Sequence, residues 1–256
     1  MSHPRRGKCV IFNYHSFKSH ISKFERTGTD VDAKSLQSCF GWLGFETVIH
    51  HDLSVNKTKE TLENLGKQDY SDDDCFVCCC LTHGDRNHLY GTDGKFSVDD
   101  IVKPFLDDAC PSLIGKPKLF FIQACRGTRY DSGAPVVFDT ADSPTWSYRI
   151  PDHPDILLAY STVPGFYSWR NQDKGSWFIQ ALCSVLRRLA GSEDLLSMLT
   201  VVNCHVALKF ESDTGNPRTN GMKQVPSITS SLLRRVWFKP KIEEAHSQQH
   251  YQPSQT

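Results

Sequence analysis

The side chains in this sequence best suited to chemistry are one thiol and one imidazole. Cys125 lies just after the apolar run Lys118 to Gln123, and His83 directly follows the run Cys75 to Thr82. In an open α/β sheet, ligands gather where strands end at their carboxyl edge. If the two runs are parallel neighbours, the thiol and the imidazole project into one cleft, as a nucleophile with an acid/base partner. Taken singly, each has a plainer reading. A histidine beside a glycine in a loop is more often a surface residue, and a cysteine after an apolar strand is usually an inert small hydrophobe. Nine other cysteines compete for the role. Cys78, Cys79 and Cys80 lie mid-strand, where core packing explains them, and the pair Cys75 and Cys78 has no second pair at zinc-site spacing. No metal site and no cofactor are expected.

The elements that must position this pair alternate between strand-like and helix-like stretches, which predicts a mostly parallel sheet with helices on both faces. Lys8 to Asn13 reads as a first strand. Asp30 is expected to cap a helix in which Ala33, Leu36, Phe40 and Leu43 share one face before Gly44 ends it. Phe45 to His50 follows as a strand and Lys57 to Leu65 as a helix. The unbroken apolar character of Cys75 to Thr82 and of Lys118 to Gln123 marks strands buried on both faces. Leu89 to Phe96 suggests a small hairpin, and Ser97 with Asp100 a capping box for a short helix that Pro104 ends or bends. The segment from Gly127 to Pro154 has no periodicity and reads as a long loop. Ile156 to Ser161 resumes the sheet, Ser176 to Ala190 and Ser192 to Leu208 are amphipathic helices, and Arg234 to Phe238 reads as a last apolar strand.

Composition bounds the rest. The 256 residues carry 29 basic and 29 acidic side chains, for a formal net charge of zero, which argues against polyanion binding by bulk charge, so no nucleic-acid partner is expected. The longest apolar run is strand-sized, so no membrane span or membrane partner is expected. Ten cysteines with no export signal at the start of the chain suggest free thiols in a reducing compartment, with the cytoplasm as default. The tail from Lys239 onward is polar and expected to be disordered.

The setting of Cys125 is more specific than its position. Gln123-Ala124-Cys125-Arg126-Gly127, with a histidine upstream, resembles the signature of the caspases. Leu81-Thr82-His83-Gly84, Lys116 to Ile122, Gly28-Thr29-Asp30-Val31-Asp32, Ser168-Trp169-Arg170-Asn171 and Gly175-Ser176-Trp177-Phe178 are similar to further segments of that family. The similarity runs from about Lys8 to Phe238 and is nearest to the executioner type with a short or absent prodomain. It implies a caspase-like α/β sandwich of about six strands and a cysteine endopeptidase that cleaves after aspartate in apoptosis. In that reading Cys125 attacks as a thiolate, His83 protonates the departing amine as an imidazolium, and the backbone N–H groups of Gly84 and Cys125 hold the oxyanion. Phe24, by position, orients His83 through its carbonyl. Arg26 and Arg170 form the aspartate pocket with Gln123, because fork-shaped, permanently charged donors best replace the hydration that a carboxylate loses. Tyr167 and Trp169 match the walls of the adjacent pocket. Ser168 and Arg170 offer backbone pairing to an extended peptide, and Asn171 and Trp177 match positions that recognise an acidic residue three before the cleaved aspartate. Glu211 to Gln224, however, contains no aromatic, where executioner relatives often carry phenylalanines.

The same resemblance divides the chain into a short N-terminal segment (1–7) with no adaptor-recruiting domain, a large subunit (8–127), an interdomain linker cut on activation (128–154), a small subunit (155–238) and a polar tail (239–256). Asp142, with Asp139 three residues before it, forms an acid-x-x-aspartate sequence ahead of Ser143, and Asp131 before Ser132 is a second processing candidate. Protein substrates are implied, with a homodimer of large and small chain pairs joined through the last apolar strand, an upstream caspase and inhibitor proteins. A competing reading is an inactive homologue that regulates a partner by heterodimerisation; the presence together of His83, Cys125, Arg26, Gln123 and Arg170 disfavours it.

Overall fold

The structure is a computed structural model and describes residues 1–22, 25–85, 88–131 and 154–239. In chain order its elements are β1 (Lys8–Asn13), α1 (Thr29–Trp42), β2 (Glu46–His51), α2 (Val55–Gly66), β3 (Phe76–Leu81), β4 (Leu89–Tyr90), β5 (Lys95–Phe96), α3 (Val98–Val102), β6 (Lys118–Gln123), β7 (Ile156–Tyr160), β8 (Arg170–Asn171), β9 (Gly175–Ser176), α4 (Trp177–Leu189), α5 (Leu195–Lys209) and β10 (Ser227–Ser230). The central six-stranded sheet runs β10-β7-β6-β3-β1-β2. All pairings are parallel except that of β10 with β7, so five strands end at one carboxyl edge.

Alternation along the buried strands sorts the core into two layers. Cys9, Ile11, Val77, Cys79, Leu119 and Phe121 pack under α1, α4 and α5, whereas Val10, Phe12, Cys78, Cys80, Phe120 and Ile122 pack on the side of α2 and α3. The cysteine-rich strand is therefore core on both faces, and all ten cysteines are free thiols. Helix α4 is buried along Phe178, Leu182, Val185 and Leu186, and α5 along Leu195, Met198, Leu199, Val202 and Val206. Side chains start the helices as their residue types favour: Asp194 accepts from the Leu196 and Ser197 N–H groups, and Ser97 with Asp100 completes a capping box.

Two expectations are corrected. Arg234 to Phe238 is not a strand. Val236 and Phe238 are instead buried against the α1/α4 layer, with the Phe238 ring edge-on to Phe45 at 5.8 Å. The apolar character that resembles a strand serves as a core plug, and the edge of the sheet beside β7 is taken by Ser227–Ser230. That segment has one large apolar residue, Ile228, too few to give a strand signal. Helix α1 is also entered differently. Gly28 occupies its N-cap position, and Asp30 lies in the first turn, where its carboxylate accepts from the Asn13 amide at 2.6 Å. No helix among the described residues is long and apolar enough to cross a membrane.

Candidate active site

Strand register brings the two reactive residues together. Leu81 of β3 is paired with Gln123 of β6, and the Thr82 N–H donates to the Gln123 carbonyl at 3.1 Å. The next residues on each chain are His83 and Gly84 on one side and Ala124 and Cys125 on the other. Gly84 lies so close that a Cβ added to it would fall 2.5 Å from the Cys125 carbonyl oxygen. A side chain at position 84 would push the two segments apart, which is the physical reason for a glycine beside the histidine. The Phe17 ring, which belongs to no motif, packs against the imidazole at 4.7 Å between centroids. His83 Nε2 is buried without a hydrogen-bond partner among the described residues.

A hydrogen-bonded frame holds the thiol. The Ser168 N–H approaches Cys125 Sγ at 3.5 Å. The Gln123 amide donates to the Ser168 hydroxyl at 2.8 Å, Ser168 donates to Ser161 Oγ at 2.9 Å, and Ser161 donates to the Ala124 carbonyl at 3.1 Å. Gln224 closes the frame from the far side, accepting from the Trp169 N–H at 2.6 Å and donating to the Ser161 carbonyl at 2.7 Å. Ser161 and Gln224 are members that sequence reading missed, since a buried serine and glutamine carry no pattern of their own.

Beside this frame lie two guanidinium groups. Arg26 is 1% exposed and donates to the Tyr14 carbonyl at 2.9 Å and to Thr29 Oγ1 at 2.7 Å. Thr29 passes the bond on to Asn13 Oδ1 at 2.7 Å, and the Arg26 Nε is buried without a partner among the described residues. Arg170 is half-buried and donates from Nε to the Thr27 carbonyl at 2.7 Å. Burial, then the nearby charge of Arg170, brings the Arg26 pKa down to about 9. Burial lowers Arg170 as well. Asp32 is the carboxylate that offsets them; it is itself buried and accepts from Ser176 N and Oγ at 2.7 and 2.5 Å. Its own pKa is raised by burial despite those bonds. Asp32 falls inside the Gly28-to-Asp32 segment, but nothing in the sequence singles out its role.

The same two cations act on the reactive pair. Burial, reinforced by Arg26 and Arg170, brings the His83 pKa down to about 4. Burial raises the Cys125 thiol, against the Ser168 N–H and both arginines, which favour the thiolate. In the free site, burial thus favours the neutral form of both the Cys125 thiol and the His83 imidazole.

The remaining positions divide. Tyr167 and Trp169 face one another at 5.6 Å between centroids, and Trp169 stacks on Trp177 at 5.8 Å. Trp177 is 7% exposed and continues onto Phe210, so it acts as the floor of an aromatic row. Asn171 is exposed and its Oδ1 accepts from the N–H groups of Asp173 and Lys174, which ties it to a local turn. The Asp131 carbonyl accepts from the Lys223 N–H at 2.7 Å. Phe24, Asp139 and Asp142 lie outside the described residues.

A thiol and an imidazole at the carboxyl edge of an α/β sheet, flanked by two guanidinium groups, are the parts of a cysteine protease. Residues 6–237 match the caspase domain, and the chain belongs to the caspase family. It is 41% identical to caspase-7 of Gallus gallus over 245 residues, covering 93% of this chain and 79% of that protein. Against caspase-1 of Spodoptera frugiperda it is 44% identical over 243 residues, covering 94% and 81%. The crystal structure of caspase-1 from Spodoptera frugiperda superposes with a TM-score of 0.86 at 42% identity, over 96% of this chain and 94% of that one.

The lowered imidazole also carries a stability signature. An unfolded histidine takes its proton near pH 6.5 and the folded His83 only near pH 4, so acidification through that window favours the unfolded chain. In His83→Gln the fall in denaturation midpoint between about pH 7 and about pH 4.5 is expected to be smaller than in the wild type. An unchanged fall would mean that His83 is not depressed.

Proposed function

We propose that this chain is an endopeptidase that hydrolyses peptide bonds after aspartate, and that it serves as an executioner caspase of apoptosis in the reducing cytoplasm, which its ten free thiols suit. The observation that carries the reading is the pair of guanidinium groups beside Cys125, Arg26 buried and Arg170 half-buried, with Asp32 the carboxylate acting on both and the Arg26 Nε without a partner among the described residues. A desolvated cationic pocket of this kind favours a carboxylate, and the Gln123 side chain at its wall adds polarity. Glutamate is one methylene longer than a rigid pocket sized for aspartate accommodates.

Binding of that carboxylate prepares the chemistry. Its negative charge offsets the repulsion that Arg26 and Arg170 exert on a protonated His83, so the imidazole becomes a better base once substrate is seated. Cys125 Sγ then attacks the carbonyl carbon while its proton passes to His83. The oxyanion lies against the N–H groups of Gly84 and Cys125, whose close approach the missing Cβ permits. As the C–N bond breaks, His83 delivers the proton to the departing amine, and water attacks the thioester to return the free thiol.

A fluorogenic acid-x-x-aspartate peptide is expected to be turned over by the wild type, with Cys125→Ala slower by at least about 1,000-fold. Turnover that survives the substitution would end this reading. Activation is proposed to cut the linker at Asp142, since Asp131 is held by its backbone bond to Lys223. The β10 edge is proposed to pair with its counterpart in a second copy, in place of the buried 234–238 segment. Native mass spectrometry of the active protein is then expected to show two large and two small chains with a terminus at Asp142; an intact, fully active monomer would refute both points.

A further inference from the structure

The chain just after Cys125 is built into the substrate-binding surface. The Arg126 N–H donates to the Phe166 carbonyl at 3.0 Å and the Gly165 N–H to the Arg126 carbonyl at 2.8 Å. The Arg129 N–H then donates to the Gly165 carbonyl at 3.1 Å, and the Tyr167 N–H to the Arg129 carbonyl at 2.9 Å. Asp131 completes the run through its bond to Lys223. The approach is close enough that a Cβ on Gly127 would fall 2.3 Å from the Gly165 carbonyl oxygen. The Arg129 guanidinium lies 4.5 Å over the Phe166 ring. Residues 126–131 thus form a strap that fixes the position of each side chain it carries.

One of those side chains is Tyr130. Its ring lies 5.4 Å from Tyr167 and 5.7 Å from Trp169, closing a triangle with the two rings that wall the pocket next to the aspartate site. Tyr130 and Tyr167 are 43% and 40% exposed, so they border open space instead of filling the core. Trp169 is fixed from behind by Trp177 and by the Gln224 bond to its N–H. The loop Glu211 to Gln224, from which a further aromatic would come, supplies none. Centroid separations near 5.5 Å are those of rings in contact, so a side chain entering among them must part them.

Building on the protease reading above, we propose that Tyr130 is a specificity-determining residue, the third wall of the subsite for the residue immediately before the cleaved aspartate, and that it restricts this subsite to small aliphatic side chains. A bulky residue there must displace a ring that the strap holds at both ends. Hydrophobic pockets of this kind discriminate by about 10-fold to 200-fold.

The test is a set of acid-x-Y-aspartate peptides in which Y is Ala, Val, Phe or Trp, assayed on the full chain. The wild type is expected to favour Val over Trp by at least about tenfold in kcat/KM. In Tyr130→Ala the ratio is expected to fall to near one through a lower KM for the Trp peptide, while the aspartate requirement persists. Tyr130→Phe is expected to keep the wild-type ratio. Because the side chain reaches solvent, equal denaturation midpoints for the variants serve as the folding control. A Val/Trp ratio unchanged in Tyr130→Ala would overturn the assignment, as would an equal gain for every peptide, which would make Tyr130 a plug and not a selector. A wild type that cleaves none of the peptides would overturn the protease reading itself; a wild type that cleaves them with no shift in ratio would overturn only the role of Tyr130.

Discussion

Two like charges beside a nucleophile, one of them held out of water, are the constraint around which the rest of this molecule is arranged. Arg26 is almost fully buried, its pKa brought down by burial and by Arg170, and one of its nitrogens lacks a partner among the described residues. Such an arrangement opposes folding unless the scaffold over-determines it. The scaffold does so through the chain Arg26 to Thr29 to Asn13 to Asp30, through Asp32 anchored on Ser176, and through the bond from Arg170 to Thr27. These contacts draw on β1, α1 and the β8–β9 hairpin, segments far apart in the chain. Segments before residue 132 and after residue 153 therefore meet around the two arginines.

The same charges join recognition to reaction. They hold His83 neutral in the empty site and favour the thiolate of Cys125, so an arriving carboxylate alters both halves of the pair at once. A substrate without that carboxylate leaves the repulsion in place. Under the proposed function, selectivity and activation have one electrostatic origin, and changing either arginine alters both.

Much of this was legible in the sequence because it rests on patterns with a physical period. The unbroken apolar strands around Cys79 and Phe121 announce a buried parallel sheet, and the residues that follow each strand mark the reactive edge. The parallel register that unites His83 with Cys125 follows from their order and is observed in the pairing of Leu81 with Gln123. What was not legible depends on contacts between distant segments. Val236 and Phe238 read as a strand because burial under a helix layer and burial in a sheet leave the same apolar signal over five residues. The true edge strand, Ser227–Ser230, has a single large apolar side chain to betray it. Asp32, Gln224 and Tyr130 act through partners far along the chain, Ser176 lying 144 positions from Asp32, and polar or singly aromatic residues give no periodicity from which to infer such pairing.

Under the proposed function, the Arg26 and Arg170 pair demands an anion. Two peptide aldehydes that differ only in ending on aspartate or on its uncharged isostere asparagine present the same carbonyl to Cys125 and differ by one charge in the pocket. Their inhibition constants are predicted to differ by at least about 1,000-fold in favour of the acid, because the neutral amide leaves the cations unmatched. Constants agreeing within about threefold would contradict the account.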